Sequence, residues 1–457
     1  MLESDGTTAI ETSPERADYP SSVEANYVLG LLFLAYVFSF IDRSVLGVMV
    51  GPIKQDLQLS DFEFSLLQGA AFAILYSVMS VPFGRMADAK SRKWIMAAGV
   101  FSWSLMTIGC GLAKNFWQLF IMRMGVGVGE ATLSPAAYST ITDSFPRAKL
   151  TRALAIYKAG MYVGGGLALG LGGALYDYFA SVPNLSLPLI GAVGAWQATF
   201  ITVGLPGFLI ALLIVFTREP SRKGMLRTEA DGGVSTLKIS AVFHYMFVQH
   251  RQLYVSLFLG CSLLGIVSYG INSWFTEMLI RNFALDRSYV GSLVGSVLIF
   301  GGLIGVLTGP IIVGALEKRR HPDSNMRALM FLALASTPVA VLAPQMPSYQ
   351  LALSFLAATI FFQAAYIGIA AAAVQMVTPN QMRGQATALY LFFTNMLGLA
   401  LGSTLVASIT DFIYADEAAL MHSLSIIAAV LLPTAAWIFY RGLSAFASAM
   451  KRSEEWC

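Results

Sequence analysis

Charge is scarce in this chain. Lys, Arg, Asp and Glu make up 12% of its 457 residues, against about 25% in an ordinary soluble domain. Hydrophobic residues make up 56%, and the mean hydropathy is +0.67. A water-soluble globule is excluded, and an all-α protein that crosses a membrane many times is expected. The net charge of +3 is spread along the chain, which gives no basic face for nucleic acid. Cysteine is nearly absent. Cys110 and Cys261 lie in apolar segments and Cys457 ends the chain, so neither a disulfide framework nor a cysteine metal site is expected. The four histidines, His244, His250, His321 and His422, fall in loops or near a helix end. No H-E-x-x-H, G-x-S-x-G or Walker-type loop is present. The chain is therefore not expected to be an enzyme or to hold a metal or cofactor, and without a nucleotide site any work it does would have to draw on a gradient. The stretch 1–24 is acidic and lacks the basic start and apolar core of a cleavable signal peptide. It reads as a disordered tail.

Long apolar runs are what the chain does have. Runs of about 20 residues, the length a bilayer demands, fall near 27–50, 62–87, 93–113, 116–143, 152–180 and 196–217. After a polar stretch, six more fall near 252–281, 288–316, 327–344, 348–377, 384–413 and 419–442. The expected organisation is a tail (1–24), a six-helix bundle (25–217), a cytoplasmic linker (218–251), a second six-helix bundle (252–443) and a tail (444–457). With both termini cytoplasmic, 22 of the 29 Lys/Arg lie inside, and Lys54, Lys114, Arg281 and Arg287 lie outside, which sets the orientation. A bacterial inner membrane is the expected location. The two halves also repeat. PRAKLTRALAIY (Pro146–Tyr157) enters the fifth run and PNQMRGQATALY (Pro379–Tyr390) the eleventh, with Arg152 and Arg383 separated by 231 residues. Parallel repeats of this kind place a transporter's site between the halves, near mid-membrane.

The first run carries Asp42 and Arg43 side by side near its middle. Each such charge costs about 2.5–3.5 kcal/mol at a helix centre, so the pair is expected to face a water-filled pathway inside a bundle, the alternative being a buried structural pair. Neighbours on a helix point about 100° apart, so each needs a partner from elsewhere. The fourth run contains RMGVGVGEATLSPA (Arg123–Ala136), with Arg123 and Glu130 on one helix face about 10 Å apart. Burial disfavours a carboxylate's charge while a nearby arginine favours it, the balance a proton-coupling site needs. Glu130 is the expected partner of Arg43, and Asp42, with no evident basic partner, is the expected proton carrier. The fifth run's glycines, Gly160/Gly164 and Gly166/Gly170, read as close helix packing. Lys158 reads as a snorkelling residue without an assigned role. The second half is quieter: Asn272, Glu277, Gln363, Gln375 and Asn395, with Tyr269, Trp274, Phe361, Phe362 and Tyr366 nearby, read mostly as packing, and Glu277 with Arg281 as an interfacial pair.

GRMADAKSRK, between the second and third runs, resembles the signature loop of the major facilitator superfamily at Gly84, Asp88, Arg92 and Lys93, with Ser91 where that pattern has a glycine. The resemblance implies a cytoplasmic gate latch, with Asp143, Arg147 and Arg152 as partners. GPIIVGALEKR (Gly309–Arg319), its counterpart in the second half, keeps glycines and basic residues but no matching aspartate. The Asp42–Arg43 pair together with Gly129–Glu130–Ala131 resembles the spinster-like branch of that superfamily. That resemblance implies twelve helices in two bundles flanking a cavity lined by the first, fourth, seventh and tenth. It also implies proton-linked, alternating-access transport of lysolipid- or sphingolipid-like substrates. Asp42, Arg43, Glu130 and Arg123 would serve the proton and the substrate. Expected partners are a small amphipathic or lipid substrate, protons and membrane lipids, with no nucleic acid, for a chain acting as a monomer. A drug or amphiphile exporter, a soluble organic-anion carrier and, least, a lipid-modifying membrane enzyme are the alternatives.

Overall fold

The structure, a computed structural model, describes residues 19–182, 186–187, 191–221, 239–379 and 382–454. Its first half holds α1 (Ser22–Ser44), α2 (Val50–Leu57), α3 (Asp61–Gln68), α4 (Ala70–Ala89), α5 (Arg92–Gly111), α6 (Phe116–Glu130), α7 (Leu133–Ser144), α8 (Arg147–Ala180) and α9 (Ala195–Val215). A short helix, α10 (Ile239–His244), leads into the second half: α11 (Arg251–Phe283), α12 (Arg287–Lys318), α13 (Ser324–Leu342), α14 (Tyr349–Met376), α15 (Arg383–Ser408) and α16 (Leu420–Glu454). A two-residue antiparallel ladder, β1 (Ser186–Leu187) with β2 (Gly191–Ala192), lies between α8 and α9.

Local chemistry sets the helix ends. Ser21 with Glu24, and Ser60 with Glu63, form capping boxes at α1 and α3, each satisfying amides that the first turn leaves open. Pro146, with φ −63°, stands just before α8, where a missing amide costs nothing. α16 runs past the expected end at 442 because Phe446 and Ala449 stay buried on one face.

Eleven segments among the described residues are long and apolar enough to span a membrane. The expected fourth run supplies the twelfth, but it is broken into α6 and α7. The cause is local. Pro135 has no amide for the carbonyl of Ala131, four residues back, and its ring crowds that position. The chain tightens instead, with the Thr132 amide 3.3 Å and its hydroxyl 2.8 Å from the Gly129 carbonyl. The break follows directly after Glu130.

The repeat seen in the sequence recurs in the packing. The fifth span, α8, packs on the eighth, α12, and the second, α4, packs on the eleventh, α15. Exchanging the halves turns one contact into the other. The tyrosines that end the two repeated motifs do equivalent work: Tyr157 stacks on Tyr36 of α1 at 4.5 Å between ring centroids, and Tyr390 lies edge-on to Phe258 of α11 at 5.8 Å. Gly166 and Gly295 let α8 and α12 touch. A Cβ on Gly295 would lie 2.3 Å from the Gly166 carbonyl oxygen, and one on Gly166 would lie 2.5 Å from that of Gly295.

Candidate functional site

Three spans bring the charged residues together. Glu130, at the end of α6, is buried and accepts from Arg43 Nε at 2.5 Å, from a second Arg43 nitrogen at 2.5 Å and from Ser39 Oγ at 2.6 Å, all on Oε2. The Arg43 guanidinium also lies against Phe40, Phe72 and Tyr76, 4.4–4.8 Å from their ring centroids. These faces attract a cation held out of water. The pair is thus fixed across α1, α4 and α6.

Asp42 is arranged differently. It is 2% exposed, and Oδ2 accepts from Thr107 of α5 at 3.2 Å. Oδ1 has no hydrogen-bond partner among the described residues. Arg123 does not meet Glu130; its Nη1 donates to the Asp42 backbone carbonyl at 3.0 Å, and the side chain is buried. Arg123 therefore braces the α1 backbone at the charged pair. Small residues on α6 make the approach close enough: a Cβ on Gly127 would lie 2.6 Å from the Phe72 carbonyl of α4, and one on Gly129 would lie 2.8 Å from Trp103 of α5.

The signature loop lies at the end of the bundle where Glu219 and Pro220 follow α9. Arg92 is fully buried and carries five bonds. Its guanidinium meets Asp143 of α7, Ser139 Oγ at 2.9 Å, the Pro220 carbonyl at 2.7 Å and Glu219 at 3.0 Å, and its amide meets Glu219 at 2.9 Å. Asp143 was an expected partner; Glu219 was not. Nothing in the local sequence flags Glu219, which stands 127 residues after Arg92. Burial pushes the Glu219 carboxyl up, but hydrogen bonds from Ser91 and Arg92 outweigh it and hold the group below its ordinary value. Ser91, in place of a glycine, has φ −59° and donates to Glu219 at 2.5 Å; no left-handed residue is needed there. Around Gly84 the nearest approach to an added Cβ would be 4.0 Å, so this glycine has no close contact. Lys93 Nζ lies 3.4 Å from the Val215 and Thr217 carbonyls. The side chains of Asp88, Arg147, Arg152 and Arg383 lie outside the described residues.

At the opposite, distal end, the halves are tied by ions. Arg281 of α11 grips both oxygens of Asp61 of α3 at 2.8 and 2.9 Å, and holds Glu277 at 3.0 Å. Lys54 of α2 bridges Asp61 and Glu417, each at 2.5 Å. Arg287 of α12 bonds Glu277 at 3.2 Å and the Val48 carbonyl at 3.0 Å. The Glu277–Arg281 pair expected from one helix is therefore part of a network joining both halves.

Comparisons with known proteins agree with this architecture. The sequence profile of the Major Facilitator Superfamily matches residues 32–403. The chain belongs to the Major Facilitator Superfamily, an integral membrane family of transporters, and is related to the spinster transporters within it. It is similar to an MFS-type efflux pump of Mycolicibacterium smegmatis, 27% identical over 418 residues, covering 88% of each chain. It is similar to protein spinster homolog 1 of Xenopus laevis, 26% identical over 405 residues, 83% of this chain and 72% of the other. Among solved structures, it resembles a bacterial homolog of the human lysosomal transporter spinster in an inward-facing, unoccupied conformation. The TM-score is 0.75 at 25% identity, covering 95% of this chain and 99% of that one.

Proposed function

We propose that this transporter works by alternating access, couples to protons and moves an amphipathic, lysolipid- or sphingolipid-like substrate. It would sit in a bacterial inner membrane with both termini cytoplasmic, as the distribution of basic residues favours. The observation that carries the proton assignment is the contrast between two buried carboxyls. Glu130 is saturated on one oxygen by Arg43 and Ser39. Asp42 has one hydroxyl partner, a free oxygen and, among the described residues, no ion pair. A carboxyl of the second kind can take up and release a proton without dismantling a salt bridge. Glu130 and Arg43 then serve as the element that senses the change, and Arg123 positions Asp42.

The amphipathic substrate is supported by the division between the halves. Asp42, Arg43, Arg123 and Glu130 all belong to the first half, and Tyr269, Phe361, Phe362 and Tyr366 belong to the second. A head group would face the charged half and an acyl chain the aromatic one. The similarity to the mycobacterial efflux pump favours a second reading, export of small amphipathic compounds. One reconstitution separates the two. Proteoliposomes should move a fluorescent lysophospholipid when a pH gradient is imposed and leave cationic dyes behind. Dye movement without lysophospholipid movement supports the exporter instead.

A further inference from the structure

Lys158 is the cation that the charged pair leaves unexplained. It belongs to α8, within the span Ala153–Ala180, yet it keeps an exposed surface. Its Nζ lies 3.4 Å from the Tyr36 hydroxyl of α1, and 5.5 and 5.2 Å from the ring centroids of Tyr36 and of Tyr138 on α7. Tyr76 of α4 and Tyr269 of α11, in the other half, lie within electrostatic range of it. The ammonium thus sits against α1 and α7, with α11 of the second half nearby. A snorkelling lysine would turn toward the head groups; this one packs on the rings of Tyr36 and Tyr138.

Its charge is also unmatched. Among the described residues, no carboxylate lies within ion-pair distance of Lys158. Arg43 is held by Glu130 and covered by three rings, and Arg123 is buried against a carbonyl. An ammonium offers three donors, and among the described residues its partners are two tyrosines, Tyr36, whose hydroxyl accepts at 3.4 Å, and Tyr138. Two tyrosine faces attract the cation without neutralising it. Tyr36 lies seven residues before Arg43 on α1, about 10 Å along the axis, so Lys158 stands on a level of its own.

We propose that Lys158, with the hydroxyls of Tyr36 and Tyr138, forms a binding station for an oxyanion, the phosphate or carboxylate head of the transported amphiphile. It rests on the amphipathic-substrate reading for the ligand's tail, but the oxyanion chemistry comes from these three residues. Arg43, already neutralised, is not the head-group contact.

Binding to the purified full-length protein tests this with three probes: a dodecanoyl lysophosphatidic acid, monododecanoylglycerol with the same chain and no charge, and glycerol 3-phosphate with the head and no chain. Lys158→Gln should weaken the lysophosphatidic acid at least tenfold and the neutral lipid less than twofold, and Lys158→Arg should stay within threefold of wild type. An unchanged melting temperature of the ligand-free variants shows that the fold survives. Equal losses for both lipids, no loss for either, or no oxyanion binding by wild type would overturn the station. So would loss on Arg43→Ala that Lys158→Gln does not share. Lysophosphatidic acid bound independently of Lys158 keeps the lipid reading and removes the station. Glycerol 3-phosphate bound through Lys158, with neither lipid bound, keeps the station and removes the lipid reading.

Discussion

At the scale of single residues, the two buried carboxyls make opposite predictions. Glu130→Gln leaves the Arg43 guanidinium without its counter-charge. Breaking a buried pair from one side costs about 3–5 kcal/mol, and the lower figure fits here because Arg43 keeps 14% of its side chain exposed and three ring faces. Asp42→Asn removes no ion pair, so its thermal unfolding in detergent should stay close to wild type while proton coupling is lost. A large loss of stability for Asp42→Asn, or none for Glu130→Gln, would contradict this assignment. Glu219 gives a pH signature at the signature loop. Its carboxyl is held low by Arg92 and Ser91, so its stabilising contribution is present above the ordinary glutamate range, about 4.3, and fades as pH falls through the lowered value. Wild type should melt above Glu219→Gln at neutral pH, and the two melting curves should converge in acid. A difference that persists in acid would show that the contacts do not depend on charge.

At the scale of elements, the distal network is the part most open to test. Arg281→Ala removes charge-assisted bonds to Asp61 and Glu277, each worth about 1.5–3 kcal/mol, and a longer ion pair to the exposed Glu417, worth about 1 kcal/mol or less. Paired spin labels placed across the distal ends of α3 and α11 should then report a longer mean distance. An unchanged distance would mean that helix packing, with Gly166 against Gly295, closes this end without the ions. How much of these elements the sequence disclosed depends on the kind of force. The spans were legible because hydropathy counts transfer free energy: eleven of the twelve runs match a span among the described residues, and the fourth is two shorter helices. The break after Glu130 was written in Pro135 and in the glycines before it, but an apolar run does not record a missing amide. Arg92 with Asp143 followed from the signature loop, and Arg43 with Glu130 followed from the need of two buried charges for partners. Glu219 and the Asp61–Arg281 grip join residues 127 and 220 positions apart, where local spacing carries no signal. Lys158 read as snorkelling because its depth was visible and its contacts with Tyr36 and Tyr138, more than a hundred and about twenty positions away, were not.

At the scale of the whole molecule, the two halves meet through symmetric helix pairs, α8 with α12 and α4 with α15, and the charged site lies within the first half. A proton bound at Asp42 has to change how those pairs rock if the proton is to drive substrate. The most direct measurement is proton movement itself, followed with a pH-sensitive dye sealed inside proteoliposomes as lysophospholipid is added outside. Wild type should shift the internal pH in step with substrate, and Asp42→Asn should still bind substrate and leave the pH flat. Substrate movement at the same rate with and without a pH gradient, or a pH shift that survives Asp42→Asn, would contradict proton coupling through Asp42.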